Sequence, residues 1–328
     1  ISDELLYSYT LKLSEYNYAS EVDVNILGHI FEHSLTEIEE VTNTLLGNEQ
    51  PTVSKRKKDG VFYTPQYITK YIVENTVGKL CAEKKAEMEI DEEEYFSDKK
   101  RYITTKRALL DKLNSYREWL LGITICDPAC GSGNFLTETY LSFRKLENRV
   151  LEDLRYDQVE GQMTLGQMDP IMVSLDQFYG IEIDDFAVSV AKTALWIAQL
   201  QMTLETSEVM GEWIAPLPLK SNENIVCGNA LRMDWNDVLP AEQCDYIIGN
   251  PPFIGKKEQS KTQKQELKDV FHGGKVGNLD YVCCWYQKAA EYMTNDSSAA
   301  FVSTNSISQG EQPSLLWPSL LKEKVSII

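Results

Sequence analysis

The chain has 328 residues, of which 43% are hydrophobic and 25% charged, ordinary values for a soluble globular protein with room for two domains or one large domain with an accessory lobe. A net charge of -18 argues against a self-sufficient nucleic-acid clamp, because phosphate binding is dominated by lysine and arginine. No apolar run approaches the roughly 20 residues of a membrane span, and no secretory signal is visible. Seven cysteines without a Cys-x-x-Cys pair indicate neither a disulfide framework nor a zinc ribbon, so they read as reduced thiols of a cytoplasmic protein. A start at Ile1 and an end inside the apolar Val325-Ser-Ile-Ile328 suggest a fragment of something longer.

Residues 1 to 20 are too mixed to assign. Val24, Leu27, Phe31, Leu35, Ile38 and Val41 then recur at steps of three and four, which predicts a helix from about Val22 to Leu46. Within it, His29-Ile-Phe-Glu32-His33 matches the His-x-x-Glu-His order of some zinc peptidases. Phe31 belongs to the apolar face and three fixed residues match easily by chance, so no metal site is expected. The basic run Lys55-Arg-Lys-Lys58 leads to Gly60-Val-Phe-Tyr-Thr-Pro65, and Thr64-Pro65 is a good start for an amphipathic helix from about Gln66 to Leu80. Residues 81 to 122 read as charged and helical, a solvated connector or packing lobe.

From Ile123 strands alternate with helices. Ile123-Thr-Ile-Cys126 reads as a buried strand, followed by Asp127-Pro-Ala-Cys-Gly-Ser-Gly133 and a helix from about Asn134 to Leu154. Strand, glycine turn and helix form a nucleotide-cradling unit, in which Gly131 and Gly133 let the backbone approach a ligand and Asp127 accepts hydrogen bonds. The dinucleotide fingerprint is not met, since Leu136 stands where a third small residue is needed, and no Gly-x-x-x-x-Gly-Lys-Ser/Thr loop is present. A second strand, Phe178 to Ile183, carries Glu182 near its end, placed to bind the hydroxyls of a ribose or to cap the next helix, from about Asp185 to Leu204. A third strand, Asn224 to Cys227, ends in Gly228-Asn229-Ala230, where Asn229 reads an adenine edge or makes a plain turn. Beyond the fourth strand come a helix region with Lys256, Lys257, Lys261, Lys264 and Lys268, a helix from about Leu279 to Met293 and a fifth strand, Ala299 to Ser303. This alternation predicts an α/β protein with a mostly parallel sheet covered on both faces, and ligands at the carboxyl ends of its strands.

The fourth strand is the most informative. Tyr246, Ile247 and Ile248 suit a buried strand, while Pro251 and Pro252 cannot donate to a ladder and must lie past its end. Asn250 therefore sits on a stiff loop. Its side-chain oxygen and the Pro251 carbonyl are two acceptors beside a flat wall, Phe253, a set that fits a planar base with an exocyclic amine. A proline-rich turn after a strand is the plainer reading of the same four residues.

Taken in order, Phe-Tyr-Thr-Pro, Asp-Pro-Ala-Cys-Gly-Ser-Gly, Gly-Ile-Glu-Ile-Asp, Gly-Asn-Ala and Asn-Pro-Pro-Phe resemble the gamma class of amino-methylating DNA methyltransferases, over about Gly60 to Gln312. Leu279-Asp-Tyr281 and Thr304-Asn-Ser-Ile-Ser-Gln-Gly310 resemble the MmeI-like branch of restriction-modification enzymes. The resemblance implies a Rossmann-like, S-adenosylmethionine-dependent methyltransferase sheet over residues 123–328, cut short at its C-terminal end, behind a helical region over residues 1–122. It implies that Phe62, Tyr63, Thr64 and Pro65 flank the methionine part of the cofactor and that Asp127, Ala129, Gly131 and Gly133 line its pocket. Glu182 would bind the ribose, Ile183 would pack on the adenine ring, and Asn229 would contact its amino group, although many relatives carry aspartate there. Asn250, Pro251, Pro252 and Phe253 would hold a flipped adenine of double-stranded DNA for transfer to N6, without a metal. The implied partners in the same polypeptide are a missing target-recognition domain and a nuclease. The competing readings are methylation of RNA or of a protein glutamine amide, and a non-catalytic cofactor-binding subunit.

Overall fold

In the computed structural model the five expected strands form one parallel sheet in the order β3-β2-β1-β4-β5. The structure describes residues 3–18, 27–28, 44, 64–90, 103–156, 170–216, 223–274, 276–322 and 325–327. The strands are β1 (Ile125–Asp127), β2 (Phe178–Glu182), β3 (Ile225–Cys227), β4 (Tyr246–Gly249) and β5 (Ser298–Phe301). β1 begins two residues later than its apolar run, because the Ile123 carbonyl accepts a hydrogen bond from Gln177 Nε2 (2.9 Å) instead of joining the ladder. Pairing of Ile125 with Phe178 on one side and Tyr246 on the other fixes the register of the three central strands.

β1, β2, β4 and β5 lead into α-helices, whereas only two short 3-10 turns separate β3 from β4. Helix α1 (Asp3–Ser14) occupies the region the sequence left unassigned. Two α-helical pieces, α2 (Gln66–Val73) and α3 (Lys79–Glu87), are joined by a π-helical turn over Glu74–Gly78. Next come α4 (Ile103–Leu121), α5 (Asn134–Tyr156) and α6 (Asp185–Met210), and after β4 α7 (Lys261–Val270), α8 (Cys283–Tyr292) and α9 (Gln312–Lys322). The helix expected over residues 22–46, with His29, Glu32 and His33, lies outside the described residues except at three positions. Among the described residues no helix is long and apolar enough to cross a membrane.

Period-two alternation splits the buried residues between the two faces of the sheet. Ile125, Phe178, Ile225 and Ile248 join a core with α2 to α6, whereas Cys126, Ile181 and Ile247 join a second core with α7, α8 and α9. The sequence takes residues 81 to 122 as a connector or packing lobe, and packing is what α4 does: Leu113, Tyr116, Arg117 and Leu120 are buried.

Beneath α4 lies a buried ionic cluster. Arg117 Nε donates to Glu147 Oε1 (3.0 Å), and Arg144 Nη1 donates to Glu147 Oε2. The Met172 amide donates to Glu147 Oε1 (2.8 Å), which ties the segment entering β2 to α5. All three charged side chains are at most 1% exposed, so removing the carboxylate leaves two guanidinium groups in the core without their counter-charge. Glu147→Ala is therefore expected to lower stability by about 3 to 5 kcal/mol, read from the urea midpoint against wild type. A loss under about 1 kcal/mol would mean that the cluster is hydrated or readily rearranged.

Candidate active site

The strand order reverses between β1 and β4, which open toward helices on opposite faces of the sheet. In parallel sheets such a switch point is where a crevice opens at the carboxyl ends of the strands. Asp127 ends β1 and Asn250 directly follows β4. The two motifs touch through Gly249, where any side chain would collide with the Asp127 carboxyl group. Asp127 is fully buried. Its Oδ1 accepts the Ala129 amide at 3.0 Å and its Oδ2 has no protein partner. Burial, with the nearby Glu182 carboxylate, pushes its pKa up to about 8, and the Ala129 hydrogen bond offsets only part of that rise.

The turn after β1 binds to the end of β2. Gly131 N donates to Glu182 Oε2 (2.9 Å), and the amides of Ile183 and Asp184 donate to Glu182 Oε1 at 2.8 and 3.0 Å. Burial raises the Glu182 pKa while these three backbone donors pull it down. The helix-cap role open to Glu182 in the sequence falls to Asp184, whose Oδ1 accepts Ala187 N at 2.9 Å. Gly131 and Gly133 have positive φ values of 54° and 83°, but they serve different needs. A Cβ at Gly131 would meet nothing within 4 Å, so this position faces open space, whereas one at Gly133 would stand 3.0 Å from Ala191 Cβ on α6. Gly133 is thus required by helix packing and not only by approach to a ligand. Beside this turn, Ile183 is 66% exposed.

The rim continues to β3, where Gly228 N donates to the Glu182 carbonyl (2.8 Å). The Asn229 side chain is engaged at both ends: Oδ1 accepts Leu231 N (2.9 Å) and Nδ2 donates to Glu266 Oε1 (2.8 Å). At the other end of the rim, Asn250 Nδ2 donates to Thr64 Oγ1 (2.9 Å), while Asn250 Oδ1 is buried with no partner. This contact joins residues 186 positions apart and brings the Thr64-Pro65 corner, with Thr64 buried, to the end of β4. Phe62 and Tyr63 lie outside the described residues. Pro251 is buried and Pro252 and Phe253 are half-buried, with Phe253 packed against the core beneath α7 and α8. The following loop is pinned at Ile254, whose carbonyl accepts Tyr281 N (2.9 Å) and Gln259 Nε2 (3.0 Å). Trp285 Nε1 holds the first turn from the same side through the Pro128 carbonyl (3.0 Å). A separate cavity of about 890 Å³, lined by Leu141, Gln201, Trp213 and neighbours, lies along the second half of α6, away from these strand ends.

A profile of the MmeI DNA-methyltransferase domain matches residues 100–328. The chain belongs to that family. It is 44% identical over 213 residues to a DNA methyltransferase A of Bacillus subtilis, an alignment covering 62% of this chain and 23% of that protein. A type II restriction enzyme and methyltransferase of Escherichia coli, Eco57I, is 26% identical over 270 residues, or 75% of this chain and 23% of its own length. The solved structure of the type IIL restriction-modification enzyme MmeI in complex with DNA superposes with a TM-score of 0.71 at 38% identity, covering 82% of this chain and 34% of MmeI. The chain thus spans about a quarter to a third of the length of these relatives.

Membership in the MmeI family agrees with the order of motifs along the rim. Two contributors to it escaped the sequence reading. Glu266 was hidden in a helix whose visible feature is lysine, and Trp285 sits in an apolar run with nothing to distinguish a core indole from one that holds a turn. The Asp127 titration gives a direct check on the burial of the rim. A carboxyl group with a folded pKa near 8 and an ordinary value of 3.8 stays protonated in the folded chain while it ionises in the unfolded one. Its favourable contribution is complete below pH 3.8, falls by about 1.4 kcal/mol per pH unit above that, and is gone beyond pH 8. Asp127→Asn, which cannot ionise, should therefore gain stability relative to wild type as pH rises from 4 to 8, seen in paired urea melts. A constant difference across that range would show Asp127 ionised in the folded state.

Proposed function

We propose that this chain transfers a methyl group from S-adenosylmethionine to the N6 amine of an adenine in DNA, as the modification core of a restriction-modification protein. The observation that carries the reading is the buried, unpartnered Oδ1 of Asn250 at the mouth of the β1/β4 crevice. A buried acceptor without a donor is costly, and an exocyclic amine supplies one. The Thr64 hydroxyl tethers the other end of the amide. Because a hydroxyl pairs with either end of an amide, a donor at the target selects the orientation with Oδ1 facing it. Asn250 Oδ1 and the Pro251 carbonyl then accept both hydrogens of the amine, hold it in place and increase the lone-pair character of its nitrogen. Phe253 gives the flipped base a stacking face, which offsets part of the few kcal/mol needed to take it out of the helix. Asparagine at position 250, where cytosine-N4 enzymes of the resembling class carry serine, favours adenine.

The residues of the rim fit the cofactor. The open face above Gly131 admits a ligand close to the backbone, Glu182 keeps about one of its roughly four acceptor positions for a ribose hydroxyl, and Ile183 offers an uncovered apolar surface to a purine. Asp127, Ala129 and Gly133 complete the turn, and Thr64 and Pro65 close the methionine end, where the resemblance adds Phe62 and Tyr63. The cofactor when bound supplies an electrophilic methyl group. The chain's task is to hold the amine in line with it. Asn250→Ala is expected to abolish methyl transfer to DNA, a drop of at least about 10²-fold, with the affinity for S-adenosylhomocysteine within about twofold of wild type. Parallel loss of affinity and rate would move Asn250 into the cofactor pocket instead.

The family match favours DNA, and helix α7 favours a nucleic acid over a protein amide. Its Ser260 and Gln263 form a reciprocal cap, and from that fixed start Lys261, Lys264 and Lys268 project on an exposed face while Glu266, Leu267 and Val270 are buried. Lys256 and Lys257 extend the basic face into the loop that follows Phe253. In a chain of net charge -18 this ridge beside the base-holding loop suits a phosphate backbone. Replacing Lys261, Lys264 and Lys268 by glutamine should weaken duplex binding to about the same extent for unrelated sequences. It should also reduce the slope of log K against log salt by about one unit per lysine that touches phosphate. An unchanged slope in a fluorescence titration would place the DNA elsewhere.

A further inference from the structure

Helix α7 has an inward face as unusual as its outward one. Glu266 is 5% exposed and both carboxylate oxygens are occupied: Oε1 accepts Asn229 Nδ2 (2.8 Å) and Arg232 Nε (2.8 Å), and Oε2 accepts Tyr281 Oη–H (2.6 Å). Three segments meet here, the turn after β3, α7, and the Leu279-Asp280-Tyr281 stretch that also holds Ile254 behind the Asn-Pro-Pro-Phe loop. The effect on Asn229 is specific. Its Oδ1 already faces a group that can only donate, Leu231 N, and its Nδ2 faces a group that can only accept, so the amide has a single orientation. The oxygen of an amide has two lone pairs, and one remains for a donor arriving from the crevice. An aspartate at position 229 would instead place a second carboxylate oxygen at hydrogen-bond distance from Glu266.

We infer that Glu266 is a positioning residue for the cofactor's adenine: it requires an amide at position 229, orients that amide, and so sets the acceptor that meets the exocyclic amine of the purine. This rests on the cofactor reading given above. Arg232 and Tyr281 serve the same end by holding Glu266 in place, and the single carboxylate thereby links the base-holding loop, the lysine helix and the cofactor pocket.

The test is a double-substitution cycle at positions 229 and 266 in the purified chain, with S-adenosylhomocysteine affinity by calorimetry and thermal midpoint as readouts. Asn229→Asp is expected to weaken binding by about tenfold or more and to lower the midpoint, because it sets two carboxylates against each other. Adding Glu266→Gln to it should recover most of both losses, since a glutamine amide can donate to Asp while its oxygen still accepts Tyr281, and the exposed Arg232, which loses Oε1, can pair with the new aspartate. If Asn229→Asp does not fold alone, Asn229→Ala serves as the background: there Glu266→Gln should change affinity by less than about twofold, while in wild type it weakens binding by several-fold. Effects of the two substitutions that multiply, or an Asn229→Asp chain that binds like wild type, overturn the role of Glu266 alone. A wild-type chain that does not bind S-adenosylhomocysteine overturns the cofactor reading and this role with it.

Discussion

The pairing of β1 with β4 is the constraint from which the rest of the rim follows. In a parallel sheet of this order, these neighbours lead into segments that leave on opposite faces, and the gap between them cannot be closed by the chain itself. The sequence at the two strand ends is adapted to that gap. Asp127 has no room to turn because Gly249 lies against it, and Pro251 and Pro252 end the ladder one residue later and make the backbone there stiff. An acid and an amide are thus held side by side at the carboxyl ends of neighbouring strands, beyond the strand pairing.

Electrostatics gives that rim a direction. Asp127 is buried and Glu182 half-buried, burial raises the pKa of both and the Glu182 carboxylate raises that of Asp127 further, and the donors that meet them are backbone amides instead of lysine or arginine. By contrast, the buried acid that serves stability alone, Glu147, is flanked by two guanidinium groups. The same chemical group is compensated by charge in the core and left short of charge at the strand ends.

Most of the sheet was legible in the sequence because parallel strands buried on both faces read as short apolar runs, and all five fall within two residues of those runs. The strand-end motifs were legible for a related reason: Asp127, Glu182 and Asn250 are polar residues at the ends of apolar runs, and Gly and Pro beside them mark the turns. What was hidden depends on contacts between distant segments. Nothing local tells that Thr64 reaches Asn250 across 186 positions. Residues 103 to 121 look solvated by charge content, yet Arg117 is among the most buried side chains because its partner, Glu147, lies on another helix. Helix α9 was missed because Pro318 lies inside it, and nothing local tells that the Asn229 side chain both closes its own turn and gives its amide hydrogen to Glu266.

Helix α7 shows how such a hidden contact changes the meaning of a visible one. Read along the sequence, its lysines make it a solvated or phosphate-facing helix, and the buried glutamate between them is one acid among many. In the fold the glutamate fixes where the lysines stand, because Glu266 can accept from Asn229, Arg232 and Tyr281 together only with α7 in one position over the sheet. The capping pair Ser260 and Gln263 fixes the same helix at its start, and Gln259, one residue before, holds both Ile254 and Leu279. The loop that presents Asn250 and Phe253 and the basic ridge beyond it are therefore set by one buried framework. A phosphate backbone lying on the ridge would have a fixed relation to the acceptors at the strand end, which is the geometric condition for bringing a single base to them.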